Sequence, residues 1–502
     1  MRIFTRISSP TFTIASKADR IHKVMEHHPS KREIDVELVP KDVKIGVRPV
    51  FVNLVHSAAY EGPCRVGDKE RMDPETERKN GQKSYRAFVD GIKSGLTPDA
   101  TLLDPVMLDW NDSWILRDSE IEKLQDDLED VDFFLVGGGL SQYPAVKIAH
   151  RYRKPIVIIG QVVAVDVSAC LRSRGLEGYA PMDMDELNRL ISLMRVRKAI
   201  ARTRVLLATE GDIIPLGVVS TISDLDDLER RYGVEHFAIP SSQVFTRMQN
   251  LSVSEAERAE VITDKLIEGA KAVHMKREDV LQSVRFYVAT RAIMGETECN
   301  AFSIPCFEIC ARRITEDNRV TFCLAHTLLK DEGLPSACEG DLNVLLSMAL
   351  LMYLSGGTAF MGNSSTLDRE NNIMSIGHDV PGLRMKGFDG DDLEYEIRNF
   401  TTGGWGVTIR YDFSRDEGKP VTVARFDPAA RRLLVCEGEI CGGRGFDQIG
   451  CSLAVYVKVK DVEDLFHKEQ DFGHHLAMVY GHHARDLKSL GEIMGFEVLE
   501  SG

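Results

Sequence analysis

Val131-Asp-Phe-Phe-Leu-Val-Gly-Gly-Gly139 is a short apolar run that ends in three glycines. An apolar run of this length, closed by glycine, reads as a strand buried on both faces. Pro155-Ile-Val-Ile-Ile159 repeats the pattern and runs into Gly160, and Lys44-Ile-Gly-Val-Arg-Pro-Val-Phe51 gives an earlier strand. Polar segments of helical period lie between them. Strands without in–out alternation, separated by helices, imply a parallel sheet covered on both sides.

The same grammar recurs downstream. Arg204–Thr209, Gly217–Thr221, His236–Ile239 and Cys299–Ile304 are strand candidates, and Asp224–Tyr232 and Ser254–Val273 have helical patterns. After Gly356 the grammar changes. Thr408–Asp412, Val421–Arg425, Arg432–Cys436 and Leu453–Lys458 are short, alternating and separated by Gly, Pro and Asp turns, which is the pattern of antiparallel β. A last helix is expected over Ala484–Met494. The predicted fold is α/β: two Rossmann-like (flavodoxin-like) open parallel-sheet domains followed by a C-terminal antiparallel β domain. The predicted boundaries are an N-terminal extension at 1–43, domains at 44–174 and 175–355, and the β domain with its closing helix at 356–502.

The composition limits what such a chain does. Its 502 residues exceed one hydrophobic core. A net charge of −15 without a basic block argues against nucleic-acid binding, which needs a positive footprint. Ten cysteines contain no CxxC pair, so neither a four-cysteine zinc site nor a disulfide framework is expected. The N-terminus lacks the features of a signal peptide, so a cytoplasmic location is expected. Leu342–Met361 is the most apolar stretch, but Asn343, Ser347 and the Gly356-Gly357 break favour a buried core helix over a membrane span.

Several residues stand out chemically. Gly137–Gly139 makes a turn suited to an anion, but it is not GxGxxG, and no matched acid follows about 20 residues on. In Pro335-Ser-Ala-Cys-Glu-Gly-Asp-Leu342, Asp341 is placed to cap the apolar helix, whereas Glu339 is poorly placed for that task and suits a metal ligand or base. His378, in Gly377-His-Asp379, and His474-His475, after Gly473, are glycine-flanked imidazoles. Carboxylate and imidazole together suit Mn, Co or Zn.

Cys338-Glu-Gly-Asp341, Leu354-Ser-Gly-Gly-Thr-Ala-Phe-Met361 and Ile376-Gly-His378, followed by Pro420–Arg425, Cys436-Glu-Gly-Glu439 and Gly473-His-His475 with Val479-Tyr-Gly481, resemble in order the core of the L-fucose/L-arabinose isomerase family. The resemblance spans about 295–495. It implies a metal-dependent aldose–ketose isomerase, generally Mn²⁺-activated, acting on a small sugar through an enediol. It also implies a homo-oligomer (trimer, tetramer or hexamer) with sites near subunit interfaces, and neither a nucleic-acid nor a membrane partner. Carried over by position, Glu339 is metal ligand and base, His475 is a ligand with His474 beside it, and His378 is a further ligand or substrate contact. Asp341 is taken with Glu339 as a catalytic carboxylate.

One position departs from the family. The acidic ligand expected after the Phe-Met strand is absent, because the stretch reads Phe360-Met361-Gly362-Asn363. Gly362 and Asn363 match it in the two possible registers. An amide carbonyl is a weaker ligand for a hard metal than a carboxylate, and it takes no proton at neutral pH. Asn363 is therefore expected as a neutral ligand or substrate contact. Two alternatives stay open: another sugar reaction on the same scaffold (glycoside hydrolysis, epimerisation or lyase chemistry), and non-catalytic sugar binding. Trp405, in a Gly-rich loop, and Gln161, at the end of a strand, are candidate sugar contacts.

Overall fold

The first strand, β1 (Ile45–Val55), is buried along most of its length, and every neighbour it has runs parallel to it. The structure is a computed structural model. It describes residues 39–55, 74–111, 116–210 and 214–501. Most of the N-terminal extension read at 1–43, and Cys64, lie outside the described residues. β2 (Ala100–Leu102) and β3 (Val106–Asn111) share one edge of β1, the first pairing with its start and the second with its end. On the other edge follow β4 (Phe133–Gly138), β5 (Ile156–Val157) and β6 (Gly178–Tyr179), all parallel. Chain order therefore reverses at β1. The run that opened the sequence reading is β4, the central strand of this sheet.

Helix Met184–Ala201 covers one face of the sheet. Its Asp183 cap accepts from the Glu186 amide, and its Leu187, Ile191 and Met194 share a core with Ile45, Phe133 and Leu135. The second sheet is also parallel and has the order β11-β10-β7-β8. It is built from β7 (Arg204–Ala208), β8 (Glu235–Ile239) and, beyond the short β9 (Ala272–Val273), from β10 (Ala301–Ile304) and β11 (Ser336–Cys338). Gly217–Thr221 is not a strand. Its residues turn across the end of the second sheet, with Thr221 Oγ1 donating to the Gly340 carbonyl at 3.1 Å. The apolar residues that suggested a strand split here: Val218 is buried and Val219 is exposed.

The C-terminal strands are β12 (Phe360–Asp368), β13 (Ile373–Gly377), β14 (Glu396–Asn399), β15 (Val407–Arg410), β16 (Pro420–Phe426), β17 (Arg432–Arg444), β18 (Ala454–Val459), β19 (His475–Tyr480) and β20 (Glu497–Glu500). Six of them run antiparallel in the order β16-β19-β12-β13-β18-β17, and β17 pairs back onto β16, so the sheet closes into a barrel-like ring. β20 adds in parallel to β17. β14 and β15 pair with each other, and β9 extends them. Among the described residues the strands thus form two parallel sheets, one closed antiparallel sheet and one small mixed sheet.

Helix Leu342–Ser355 joins these layers. It is apolar all round and buried from Leu342 to Tyr353, which is the condition for a helix enclosed in a core. Gly356, with φ +68°, ends it in the left-handed conformation a C-terminal cap needs. Its side chains share one cluster with Val205 and Leu207 of the second sheet and with Ala424, Phe426, Ala477 and Val479 of the barrel. The start of this helix is therefore held between the parallel sheet and the barrel. Among the described residues no helix is long and apolar enough to cross a membrane. The nine described cysteines are free thiols.

Candidate active site

The Cys338–Asp341 turn leaves β11 at its C-terminal end and feeds helix Leu342–Ser355. Ligands of open parallel sheets bind at this edge. Glu339 and Gly340 both have positive φ, +63° and +71°. Glycine takes that conformation freely, but for a glutamate it is a strained choice, and such strain gathers at functional positions. The bend turns the Glu339 side chain toward the barrel, where it is buried.

Two barrel strands bring imidazoles to it. His378 follows β13, and its Nε2 lies 3.1 Å from Glu339 Oε1. His475 opens β19, and its Nε2 lies 3.7 Å from Glu339 Oε2. The His378 and His475 ring centres are 5.7 Å apart. His474 stands beside them with its ring centre 4.3 Å from that of His475. Ligand atoms of Glu339, His474 and His475 all lie within 4.8 Å of one another.

The hydrogen bonds fix which nitrogens carry protons. His475 Nδ1 donates to Asp341 Oδ2 at 2.9 Å, which leaves a lone pair on Nε2. That Nε2 is buried and has no hydrogen-bond partner among the described residues. A carboxylate behind an imidazole whose far nitrogen is free is the arrangement that holds a metal-ligating histidine. His378 is the reverse case. The backbone N–H of Asp379 points at its Nδ1 at 3.1 Å, and the Cys451 thiol lies 3.5 Å from the same atom. Nδ1 is therefore the acceptor, and the Nε2–H donates to Glu339. Burial pushes the Glu339 carboxyl up, but His378, His475 and His474 outweigh it and hold the carboxyl below its ordinary value. Burial, with His475 and Arg425 nearby, lowers His474, which keeps its ring neutral with a lone pair to offer.

Asp341 does not face the cleft with a free oxygen. Oδ1 caps the helix, accepting from Asn343 N at 3.0 Å and Val344 N at 3.1 Å. Oδ2 accepts from His475 and from Arg425 Nη1 at 2.7 Å. Burial alone would raise this carboxyl, but Arg425 and His475 hold it well below the usual carboxylate range. Asp341 thus positions His475. Asp379, which abuts His378, is tied to the fully buried Arg410 at 2.8 Å and to the Ser452 and Leu453 amides. Glu210 accepts from Ser241 Oγ and Ser242 N. Of these acids only Glu339 keeps an oxygen aimed into the cluster.

Asn363 lies directly opposite His475 on β19 and Gly377 on β13, so it shares the face of His475. Its amide Nδ2 is 3.5 Å from the Gly377 carbonyl. A Cβ on Gly362 would stand 2.8 Å from the Gly377 backbone, so that position admits no side chain. Position 363 is therefore the one facing the cluster. Trp405 and Gln161 belong elsewhere. Trp405 is half-buried in the turn between β14 and β15, its backbone N–H donating to Thr401 Oγ1. Gln161 lines a cavity of about 570 Å³ at the end of β4 and β5, with Gly137, Gly138 and Gly160. Among the described residues neither hydrogen-bonds to the Glu339 cluster. The later histidines His482 and His483 pair with Glu437 and the Tyr480 carbonyl.

Two contributions escaped the sequence reading. Cys451, in a loop without a motif, contacts His378. Gly217 packs over Glu339, where a Cβ would stand 3.2 Å from Oε2 and 2.6 Å from the Phe307 ring. The Pro215-Leu-Gly217 turn signal was available for the second, but its apolar flanks suggested a strand.

No family model matches the chain. It is similar to sulfoquinovose isomerases of Priestia aryabhattai and Priestia megaterium (strain ATCC 12872 / QMB1551), with 24% identity over 330 residues, 62% of this chain and 68% of each relative. A sulfoquinovose isomerase of Alkalicoccus urumqiensis is 23% identical over 335 residues, again 62% of this chain and 68% of the relative.

Proposed function

We propose that the chain is an aldose–ketose isomerase that moves a proton between C1 and C2 of a small sugar, with Glu339 as the base. The observation that carries this reading is the pairing of a buried carboxylate with an imidazole nitrogen that has no hydrogen-bond partner among the described residues. Glu339 Oε2 and His475 Nε2 face each other at 3.7 Å in a buried turn. The similarity to sulfoquinovose isomerases, sugar isomerases by name, supports the same class.

The residues fit a divalent metal. The orphaned His475 Nε2 and the lowered carboxyl of Glu339 are imidazole and carboxylate donors of the kind such ions take. Glu339 and His475 would hold it. When bound, it would polarise the sugar carbonyl as a Lewis acid and so acidify the C–H beside it. The chain does the rest. The His378 N–H orients the Glu339 carboxylate through Oε1, and that carboxylate takes the proton from one carbon and returns it to the next. Asp341 keeps the His475 ring in one tautomer and orientation. Burial of Glu339, His378 and His475 keeps bulk water from the carbanionic intermediate.

The test is proton NMR in D₂O with purified protein, a panel of aldoses and ketoses that includes sulfoquinovose, and added divalent metal with and without chelator. Deuterium entering at C1 or C2 of one sugar, together with its interconversion, is the expected result. Absence of aldose–ketose interconversion for every sugar with every metal would overturn the reading.

A further inference from the structure

The set of side chains facing Glu339 differs from what a carboxylate-rich site would show, and the difference has a consequence for metal choice. Asn363 occupies the position across from His475, with its amide nitrogen turned to the Gly377 carbonyl. It brings no charge. His378 has no lone pair to give on the side that faces Glu339, because the Asp379 N–H fixes the opposite nitrogen as the acceptor. For Nε2 to bind a metal, the ring would have to carry its proton on Nδ1, against a backbone N–H 3.1 Å away. His474 has neither obstacle. Its ring lies against that of His475, and a ring nitrogen falls within 4.8 Å of the ligand atoms of both Glu339 and His475. Its backbone is pinned by the Ser364 N–H, which donates to the His474 carbonyl at 2.8 Å. Gly473, with φ +104°, makes the bend that lets two successive histidines reach one point.

We propose that His474, and not His378, completes the metal set with Glu339 and His475. The resulting two-nitrogen, one-carboxylate set favours Co²⁺, Ni²⁺ or Zn²⁺ over Mn²⁺ and Mg²⁺. Replacing an oxygen donor by imidazole moves a site toward the later first-row ions, which bind nitrogen more tightly, whereas Mn²⁺ and Mg²⁺ depend on oxygen donors and charge. The inference rests on the metal-dependent reading above, but it concerns ligand identity, which binding measurements read without turnover.

The experiment uses the full chain, stripped with chelator and titrated with Mn²⁺, Co²⁺ and Zn²⁺ by calorimetry and chelator competition. Visible absorption of the Co²⁺ form reports the ligand field. Wild type is compared with His474→Ala and His378→Ala, and circular dichroism checks that each variant is folded. The expected result is one ion per chain and tighter Co²⁺ and Zn²⁺ than Mn²⁺. His474→Ala then loses more than about tenfold in Co²⁺ affinity, the scale on which even outer partners of a metal act. It also changes the Co²⁺ spectrum, while His378→Ala, which removes only an outer hydrogen bond to Glu339, loses less affinity than His474→Ala and leaves the spectrum unchanged, and His378→Gln stays within about threefold of wild type. The reverse ranking of the variants, or Mn²⁺ binding tightest, overturns the proposal. Because His378 donates to Glu339, an affinity loss in His378→Ala is checked with His378→Gln, whose amide restores an N–H donor. Rescue by Gln assigns His378 a positioning role, whereas loss in both counts against the proposal. If metal binds as described but no sugar interconverts, the isomerase reading fails while this one stands. If exchange is found with ligands ranked otherwise, this one fails alone.

Discussion

Asp341 Oδ2 accepts at once from His475 Nδ1, at 2.9 Å, and from Arg425 Nη1, at 2.7 Å, with all three residues fully buried. One oxygen therefore orients the imidazole that faces Glu339 and neutralises a guanidinium enclosed in the core. Arg425 further donates to the Phe472 and His475 carbonyls, which ties the same charge to the backbone around the His474-His475 pair. Asp341→Leu strands that guanidinium without a counter-charge and removes the helix cap. Urea unfolding is expected to show a loss of about 3–5 kcal/mol from the broken pair, with a cap contribution of about 1 kcal/mol besides. Arg425→Met is expected to cost a similar amount. The double variant should lose clearly less than the sum of the two, because it removes both buried charges. Strict additivity would show that the pair is not coupled as the geometry requires.

How much of this was readable in advance depends on sequence distance. Helix Leu342–Ser355 and the closing helix Ala484–Met494 follow from local pattern, and both stand where the pattern puts them. Of the parallel strands, β1, β4, β5, β7, β8 and β10 are legible because they lack alternation, whereas β2, β3, β6 and β11 are not read from the sequence. The insertion of β19 between β12 and β16, and the addition of β9 to β14, depend on pairing between distant segments that no local period encodes. At the site, the glycine-flanked histidines and Glu339 are conspicuous as types. The link between Asp341 and His475 crosses 134 positions, and that between Asp341 and Arg425 crosses 84. Nothing in either neighbourhood announces the other. Adjacent His474 and His475 would face opposite ways within a regular strand. They converge because His474 precedes the strand and follows Gly473.

Glu469, in helix Val462–Glu469, carries a carboxyl that burial pushes up to about 7 from an ordinary 4.5, despite a hydrogen bond from Ser364. Its Oε1 is buried without a hydrogen-bond partner among the described residues. The folded chain keeps this proton between about pH 4.5 and 7, where the unfolded chain has lost it. Stability from this group is therefore complete below the unfolded value and falls as pH rises toward 7, by up to about 3 kcal/mol. Glu469→Gln cannot ionise. It is expected to match wild type near pH 4 and to exceed it in urea midpoint at pH 8. Parallel pH profiles for the two proteins would refute the assignment.

Gly217 is the close neighbour of the Glu339 carboxylate. Gly217→Ala places a methyl 3.2 Å from Oε2 and 2.6 Å from a ring carbon of Phe307. Phe307 is half exposed and can yield, so the melting temperature should change little. The carboxylate has less room, because His378 holds its other oxygen. Deuterium exchange into substrate is expected to fall about tenfold or more, the cost of displacing a reacting group by a fraction of an ångström. Full exchange activity in a folded Gly217→Ala protein would remove this loop from the site.

Asn363→Asp is the reciprocal of the His474 substitution. Position 363 faces the cluster from directly across His475, while position 362 admits no side chain because of the Gly377 backbone. A carboxylate at 363 adds a second charged oxygen donor beside that of Glu339. Mn²⁺ affinity is expected to rise by about tenfold or more relative to Zn²⁺, in line with the preference of Mn²⁺ for oxygen ligands. Combined with His474→Ala, the same change should recover Mn²⁺ binding while leaving Zn²⁺ binding weakened. The added charge stands across from His475 on the sheet face that carries the site's negative charge, so without metal the variant should unfold at a lower temperature than wild type. Metal should restore the difference, since a ligand that binds only the folded chain stabilises it in proportion to its affinity. If Asn363→Asp leaves the relative affinities for Mn²⁺ and Zn²⁺ unchanged in calorimetry, position 363 does not reach the metal, and the ligand set is confined to Glu339 and the two histidines.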